Sequence, residues 1–213
     1  MADIKAFIFD LDGVITDTAE FHFKAWKRMA DEDGIPFTRQ DNEALRGVSR
    51  AESLRRLLKG KEVTPEKFQE MMDRKNSYYR EFLKTMTPDD LLPGAKELVL
   101  DLKKRGIKTA IGSSSKNAQT VLEGLEVTDM FEAVADGDSV ENAKPAPDLF
   151  LHAAELMNLA PETCVVVEDA ESGVEAALAG NFVAVGIGPE ERVGKAHFRY
   201  DSTKDINVDE IVG

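Results

Sequence analysis

At 213 residues, the chain has room for one large domain or two small ones, since domains run roughly 100–200 residues. Hydrophobic residues make up 42% and charged residues 31%, which describes an ordinary globular chain with a substantial core. Forty acidic against 27 basic side chains leave a net charge of −13, which argues against nucleic acid or an anionic membrane surface as main partner.

In chain order, "KAFIFD" (5–10) reads as a buried strand, apolar, rich in aromatics and too short for a helix. Helical spacing follows over 18–33, with Ala19, Phe23, Trp26, Met29 and Ala30 on or near one face, and Gly34 and Pro36 stop it. Further helices are predicted over 39–45, 50–58 and 65–86, the last with Thr64 as N-cap and Pro65 at its first position. "TPDDLLPG" (87–94) is a turn-rich boundary. The rhythm then changes to helix "AKELVLDLKKRG", strand "IKTAIG", helix "SKNAQTVLEGL", strand "FEAVADG", helix "APDLFLHAAELMN", strand "TCVVVE", helix "ESGVEAALAGN" and strand "FVAVGIG". That alternation predicts an α/β fold, a parallel sheet covered by helices on both faces. The helical block before it looks like an insertion after the first strand. The tail after Gly188 is too weakly patterned to assign. No segment approaches the roughly 18–20 apolar residues of a membrane span, and "MADIKAFIFD" has no leader-like pattern. The single cysteine, Cys164, lies in an apolar run and cannot form an internal disulfide. A cytoplasmic location is therefore expected.

Ligands of open parallel sheets sit beyond the carboxyl ends of the strands, so those ends read as one rim. The first strand ends in Asp10-Leu11-Asp12, and "IKTAIG" ends in Ser113-Ser114-Ser115 followed by Lys116-Asn117 at a helix start. Lys144-Pro145 follows the "AVADG" strand, and "VVVE" ends in Glu168-Asp169. Carboxylates and a lysine on one rim suggest a divalent metal and a phosphoryl group. Mg²⁺ takes oxygen ligands from one or two carboxylates, waters and phosphate oxygens. Ser113 or Ser115, with free N–H groups at the helix start, suits phosphate oxygens. Asp10 and Asp12, two apart in extended chain, can face one side, one as nucleophile and the other moving a proton. Each piece alone has an ordinary structural reading as a turn or a helix cap. It is their order and spacing along one alternating chain that makes coincidence improbable.

"DLDGVITD", "SSS", the lysine of "KPAPD" and "EDAESG" resemble the four motifs of the haloacid dehalogenase superfamily. The resemblance implies a Rossmann-like core over 1–16 and 88–213, with a small α-helical cap domain over 17–87 inserted into it. It implies that Asp10 is the nucleophile that becomes an aspartyl phosphate and that Asp12 is the general acid/base. Mg²⁺ would be held by Asp10, the backbone carbonyl of Asp12 and Asp169, with Glu168 in or beside the coordination shell. Ser113 and Lys144 would bind the transferring phosphoryl group.

"TAEFHFKAW", "RGVSRAESL" and "DRKNSYY" further resemble the cap of the beta-phosphoglucomutase family. The expected reaction is then interconversion of β-D-glucose 1-phosphate and glucose 6-phosphate through β-glucose 1,6-bisphosphate. The alternative is a sugar-phosphate phosphatase with the same nucleophile, and a third reading is a catalytically silent sugar-phosphate binder. Thr18, His22 and Trp26 share one helical face. His22 near Asp12 would support proton transfer or bond the sugar, and Trp26 reads first as core, otherwise as pocket wall. By the resemblance, Gly47, Val48, Ser49 and Arg50 bind sugar and distal phosphate, Arg50 as the cap cation, and Ser115, Lys116 and Asn117 complete that site from the core. Lys75 interrupts the apolar stripe Phe68, Met72, Tyr79, Phe82, Met86. It either snorkels or points into the cleft. Ser114 stands where similar mutases often carry alanine. The expected partners are a phosphorylated hexose and its bisphosphate, with neither nucleic acid nor membrane, and a monomer is expected.

Overall fold

A computed structural model describes residues 3–213. Its single sheet comprises β1 (Ala6–Phe9), β2 (Lys108–Gly112), β3 (Ala133–Ala135), β4 (Cys164–Glu168), β5 (Val183–Ile187) and β6 (Phe198–Tyr200). All strands pair in parallel, in the order β3-β2-β1-β4-β5-β6. From β1 the chain builds one half of the sheet, then crosses to β4 and builds the other. The crevice between β1 and β4 is therefore the topological switch point, where ligands of such sheets bind.

Side chains alternate across a strand, and here the alternation sorts the core into two layers. Phe7, Phe9, Ile111, Val165 and Val167 face one side, against α5 (Ala95–Lys104), α6 (Ala118–Gly124) and the C-terminal α10 (Val208–Val212). Ala6, Ile8, Ala110, Cys164 and Val166 face the other, against α7 (Asp148–Leu156) and α8 (Glu171–Ala179). Cys164 is buried and free, as expected. The strands are apolar on both faces because both faces are covered.

Between β1 and β2 lie α1 (Ala19–Glu32), α2 (Arg39–Glu43), α3 (Arg50–Leu58) and α4 (Pro65–Leu83). They enclose their own apolar cluster of Trp26, Met29, Ala30, Phe37, Leu54, Leu57, Leu58 and Met71. Thr64 caps α4 by accepting from the Lys67 N–H at 3.3 Å, with Pro65 at its first position. Ser49 caps α3 in the same way. The chain enters and leaves this block through two segments that run side by side. Thr16 bridges Leu91, its hydroxyl donates to the Asp90 carbonyl at 2.7 Å, and the Leu92 N–H donates to the Ile15 carbonyl at 2.9 Å.

Two details differ from the sequence expectation. α4 ends at Leu83 rather than near residue 86, because turns at Thr85 and Met86 redirect the chain, burying Met86 against the sheet layer. The unassigned tail supplies α9 (Glu190–Val193) and the edge strand β6. Among the described residues, no helix is long and apolar enough to cross a membrane.

Candidate active site

The site starts where β1 ends. The Asp10 N–H donates to the Val167 carbonyl of β4 at 2.9 Å, which extends the pairing by one residue and sets Asp10 beside Glu168 and Asp169. The chain then turns at Gly13, whose φ is +88°. A Cβ there would lie 2.4 Å from Asp169 Oδ2, so only glycine lets the loop pass this close. Asp10, Glu168 and Asp169 are all buried, and one oxygen of each lies within 4.8 Å of the others.

Three buried carboxylates require compensation. Lys144, itself buried, donates to Asp10 Oδ1 at 2.5 Å and to the Gly112 carbonyl at 3.1 Å, and stands 3.7 Å from Glu168 Oε1. Burial opposes its charge, yet Asp10 and Glu168 outweigh that and raise its pKa. One lysine does not balance three acids. Burial raises the Glu168 carboxyl well above its usual range, and burial followed by Asp10 pushes Asp169 up to about 7. Asp10 is also raised, by burial and by Asp12 against the pull of Lys144. Both Glu168 carboxylate oxygens lack a hydrogen-bond partner. An acidic oxygen cluster with orphaned acceptors fits a hard divalent cation, which would satisfy those oxygens and lower all three pKa values.

Asp12 has different surroundings. Its side chain remains 30% exposed. The Thr18 hydroxyl donates to Oδ1, and His22 Nε2 faces Oδ2 at 3.8 Å. Loss of bulk water would raise its pKa, but the His22 and Thr18 contacts prevail and lower it. His22 in turn contacts Lys75 Nζ through Nδ1 at 2.8 Å. Removal from water and the neighbouring Lys75 depress the His22 pKa, and burial followed by Arg50 pulls Lys75 well below its ordinary value.

One cavity of about 640 Å³ lies between the strand ends and the helical block. Asp10, Asp12, Ser113, Ser114, Ser115, Lys116, Asn117 and Asp169 line it from the sheet, and His22, Trp26, Gly47, Val48, Ser49, Arg50 and Lys75 from the helices. Thr18, Lys144 and Glu168 lie off its wall and reach it through Asp12 and Asp10. Trp26 is both core and wall, buried in the helical cluster yet bordering the cavity. The Lys75 ammonium points inward over the Trp26 ring at 4.9 Å instead of snorkelling. Arg50 is held out of water, which lowers its pKa, and Asp73 and Asp138 are its charged neighbours.

Three bridges across the cavity went unassigned in the sequence. Arg46 Nη1 donates to Asp169 Oδ2 at 3.0 Å, Asn117 Nδ2 donates to Asn76 Oδ1 at 3.0 Å, and the Ser114 hydroxyl donates to the Gly47 carbonyl at 3.3 Å. Arg192, from the weakly patterned tail, stands 3.9 Å from Asp169. Arg46 opens the "RGVSRAESL" stretch already singled out and Asn76 lies in "DRKNSYY" beside Lys75, but neither had been given a role of its own. Asp17 takes no part in the cavity and accepts from the Ala19 N–H at 2.9 Å, at the entry to α1.

The chain is 43% identical over 211 residues to a beta-phosphoglucomutase of Bacillus subtilis, covering 97% of this chain and 93% of that one. It is 31% identical to a phosphorylated carbohydrates phosphatase of Thermotoga maritima, covering 98% and 97%. The crystal structure of a beta-phosphoglucomutase from Clostridium difficile superposes with a TM-score of 0.94 at 40% identity, covering 98% and 95%. The family profile of the haloacid dehalogenase-like hydrolases matches residues 4–181. With that match, the six-stranded parallel sheet and the acidic rim at its switch point, the chain belongs to the haloacid dehalogenase-like hydrolase family.

Proposed function

We propose that the protein interconverts β-D-glucose 1-phosphate and glucose 6-phosphate through β-glucose 1,6-bisphosphate. The observation that carries this reading is one cavity lined by two sets of groups suited to phosphate. One set is Ser113 with Lys144 behind Asp10, and the other is Arg50 with Ser115, Lys116 and Asn117. A phosphatase needs one such seat, whereas a bisphosphate intermediate needs two. The full-length similarity to a beta-phosphoglucomutase supports the same choice.

A carboxylate oxygen of Asp10 attacks phosphorus of the bisphosphate, and the bond to the sugar oxygen breaks. Asp12 gives its proton to that departing oxygen. Glucose 6-phosphate leaves, β-glucose 1-phosphate enters with its phosphate in the Arg50 seat, and Asp12 takes the proton of the 6-hydroxyl that attacks the aspartyl phosphate. The bisphosphate so formed turns end for end, which brings its 1-phosphate to Asp10. His22 and Thr18 hold Asp12 in place, and Lys144 offsets charge on Asp10 and the phosphoryl group. Gly47, Val48, Ser49, Trp26 and Lys75 surround the sugar, and Ser114 ties the Gly47 loop to the rim. Asp10, Asp169, Glu168 and the Asp12 carbonyl would hold Mg²⁺, which supplies positive charge beside the transferring phosphoryl oxygens. Residues 17–87 act as a cap that excludes water from the core formed by 1–16 and 88–213. The protein works on phosphorylated hexoses as a monomer in the cytosol. A net charge of −13 and a lone buried cysteine are consistent with that setting.

The test supplies β-glucose 1-phosphate, Mg²⁺ and a trace of the 1,6-bisphosphate, and follows glucose 6-phosphate and free phosphate. Glucose 6-phosphate well in excess of phosphate is expected. Phosphate alone would replace this reading with the phosphatase one, which the relative from Thermotoga maritima favours. Neither product, with tight binding, would leave a silent binder. Chelation of the metal is expected to stop the reaction, and added Mg²⁺ to restore it.

A further inference from the structure

Tyr79 on α4 is fully buried and belongs to the apolar layer beneath the sheet rim. Sequence pattern alone makes it one more member of a hydrophobic stripe. Its ring faces, however, meet polar groups of the site. The ring lies 4.1 Å from the His22 ring, centroid to centroid, at 21° between planes. The Lys75 ammonium, one helical turn earlier on α4, stands 4.7 Å from the Tyr79 centroid and 4.9 Å from that of Trp26. Two aromatic faces thus cradle the buried cation. The phenol oxygen makes no hydrogen bond of regular geometry, with Thr18 the side chain within its reach, so the ring faces carry the contacts that matter here.

We propose that Tyr79 is a positioning residue, whose ring fixes the rotation of His22 and the place of Lys75 so that His22 presents Nε2 to Asp12. An imidazole in a loose setting turns about its last side-chain torsion, which swaps Nδ1 with Cδ2 and Nε2 with Cε1. Here the stacked Tyr79 face blocks that rotation, and Lys75 closes the Nδ1 edge at 2.8 Å. Beside a charged Lys75, which has donors only, Nδ1 accepts. The proton of the neutral ring is then on Nε2, on the edge that faces Asp12 Oδ2 at 3.8 Å. Tyr79 thereby acts on proton transfer through His22 without touching the sugar or the phosphoryl group. The catalytic consequence rests on the reading of Asp12 as acid and base; the placement of the His22 proton does not.

The experiment pairs NMR with kinetics. Long-range ¹H–¹⁵N spectra report which ring nitrogen of His22 carries the proton, with His22→Gln identifying its signals. Wild type and Tyr79→Phe are expected to show a single form protonated on Nε2. Tyr79→Met fills the volume with a flexible, non-aromatic chain and is expected to show exchange between forms. Its kcat for sugar-phosphate isomerisation should fall about tenfold with little change in KM, the scale of cost for misplacing a catalytic group. Tyr79→Phe should retain most of the wild-type kcat. A merely structural role would lower the melting temperature of Tyr79→Met while leaving kcat per folded molecule and the His22 signals unchanged, and that result overturns the proposal. Equal loss in the Phe variant overturns it too. Should Tyr79→Met fail to fold, the wild-type spectrum decides alone, since a proton on Nδ1 is incompatible with the proposed geometry. If wild type lacks isomerase activity but the His22 pattern and its dependence on the Tyr79 ring hold, the functional reading fails and the positioning stands.

Discussion

Asp10 and Asp12 are separated by one residue and occupy opposite electrostatic surroundings. Asp10 shares a buried cluster with two more acids and a single lysine, and Asp12 sits partly exposed against a hydroxyl and an imidazole. Asp12→Asn is therefore expected to lower isomerase kcat by about a hundredfold or more, while metal affinity measured by calorimetry stays close to wild type. Asp10→Asn should lose both. Lys144→Met leaves Asp10 and Glu168 buried without their counter-ion, and urea denaturation should show a loss of about 3 kcal/mol. The rim residues were legible because strand ends can be read from an alternating pattern, and each motif occupies consecutive positions. Arg46 and Tyr79 were not legible in their roles. Arg46 meets its partner Asp169 across 123 positions, and nothing local to an arginine before a glycine specifies that contact. Tyr79 has the spacing of an ordinary core residue, and only three-dimensional packing reveals that its faces meet His22 and Lys75.

Helices and loops carry the behaviour of the block between β1 and β2. The loop ahead of α3 approaches the sheet rim through Gly47, whose φ is +70° and whose added Cβ would lie 2.7 Å from both Ala170 Cβ and Ser172 Oγ. Gly47→Ala is expected to push that loop off the rim, and the ratio of phosphate released to glucose 6-phosphate formed should rise. In α2, the Lys59 ammonium and the Thr38 cap pull the Asp41 carboxyl down from 3.8 to about 2. Its folded pKa lies below its ordinary one, so its contribution is present above about pH 4 and lost as pH falls through about 2. The difference in melting temperature between wild type and Asp41→Asn should narrow across that window. Elements with caps in the sequence, such as α3 and α4, matched their expected starts. β6 was missed because three residues at a sheet edge, none fully buried, carry no alternation to read.

At the scale of the molecule, three apolar clusters organise one chain, two against the faces of the sheet and one within the helical block. If that block is a separate cap domain, its cluster should govern its own opening. Leu54→Ala, at a fully buried position of the helical cluster, is expected to cost about 3 kcal/mol. Hydrogen exchange should accelerate over α1–α4 while amides of β1 and β4 keep their protection. Equal acceleration in the sheet would show that the two parts open as one. The α/β class and the inserted block were readable from rhythm alone, because strand and helix periods differ. The layering of the sheet required the strand order.

That order also sets a schedule for the chain as it is made. Asp10 leaves the ribosome well ahead of its backbone anchor, Val167, and its acidic neighbours Glu168 and Asp169, which follow more than 150 positions later. The helical block and half of the sheet are complete before the cluster of Asp10, Glu168 and Asp169 can assemble. A nascent chain arrested short of residue 164 would lack β4, the strand beside the one that ends at Asp10. Activity in this fold therefore arrives late and abruptly during synthesis, gated by the pairing of the first strand with the fourth.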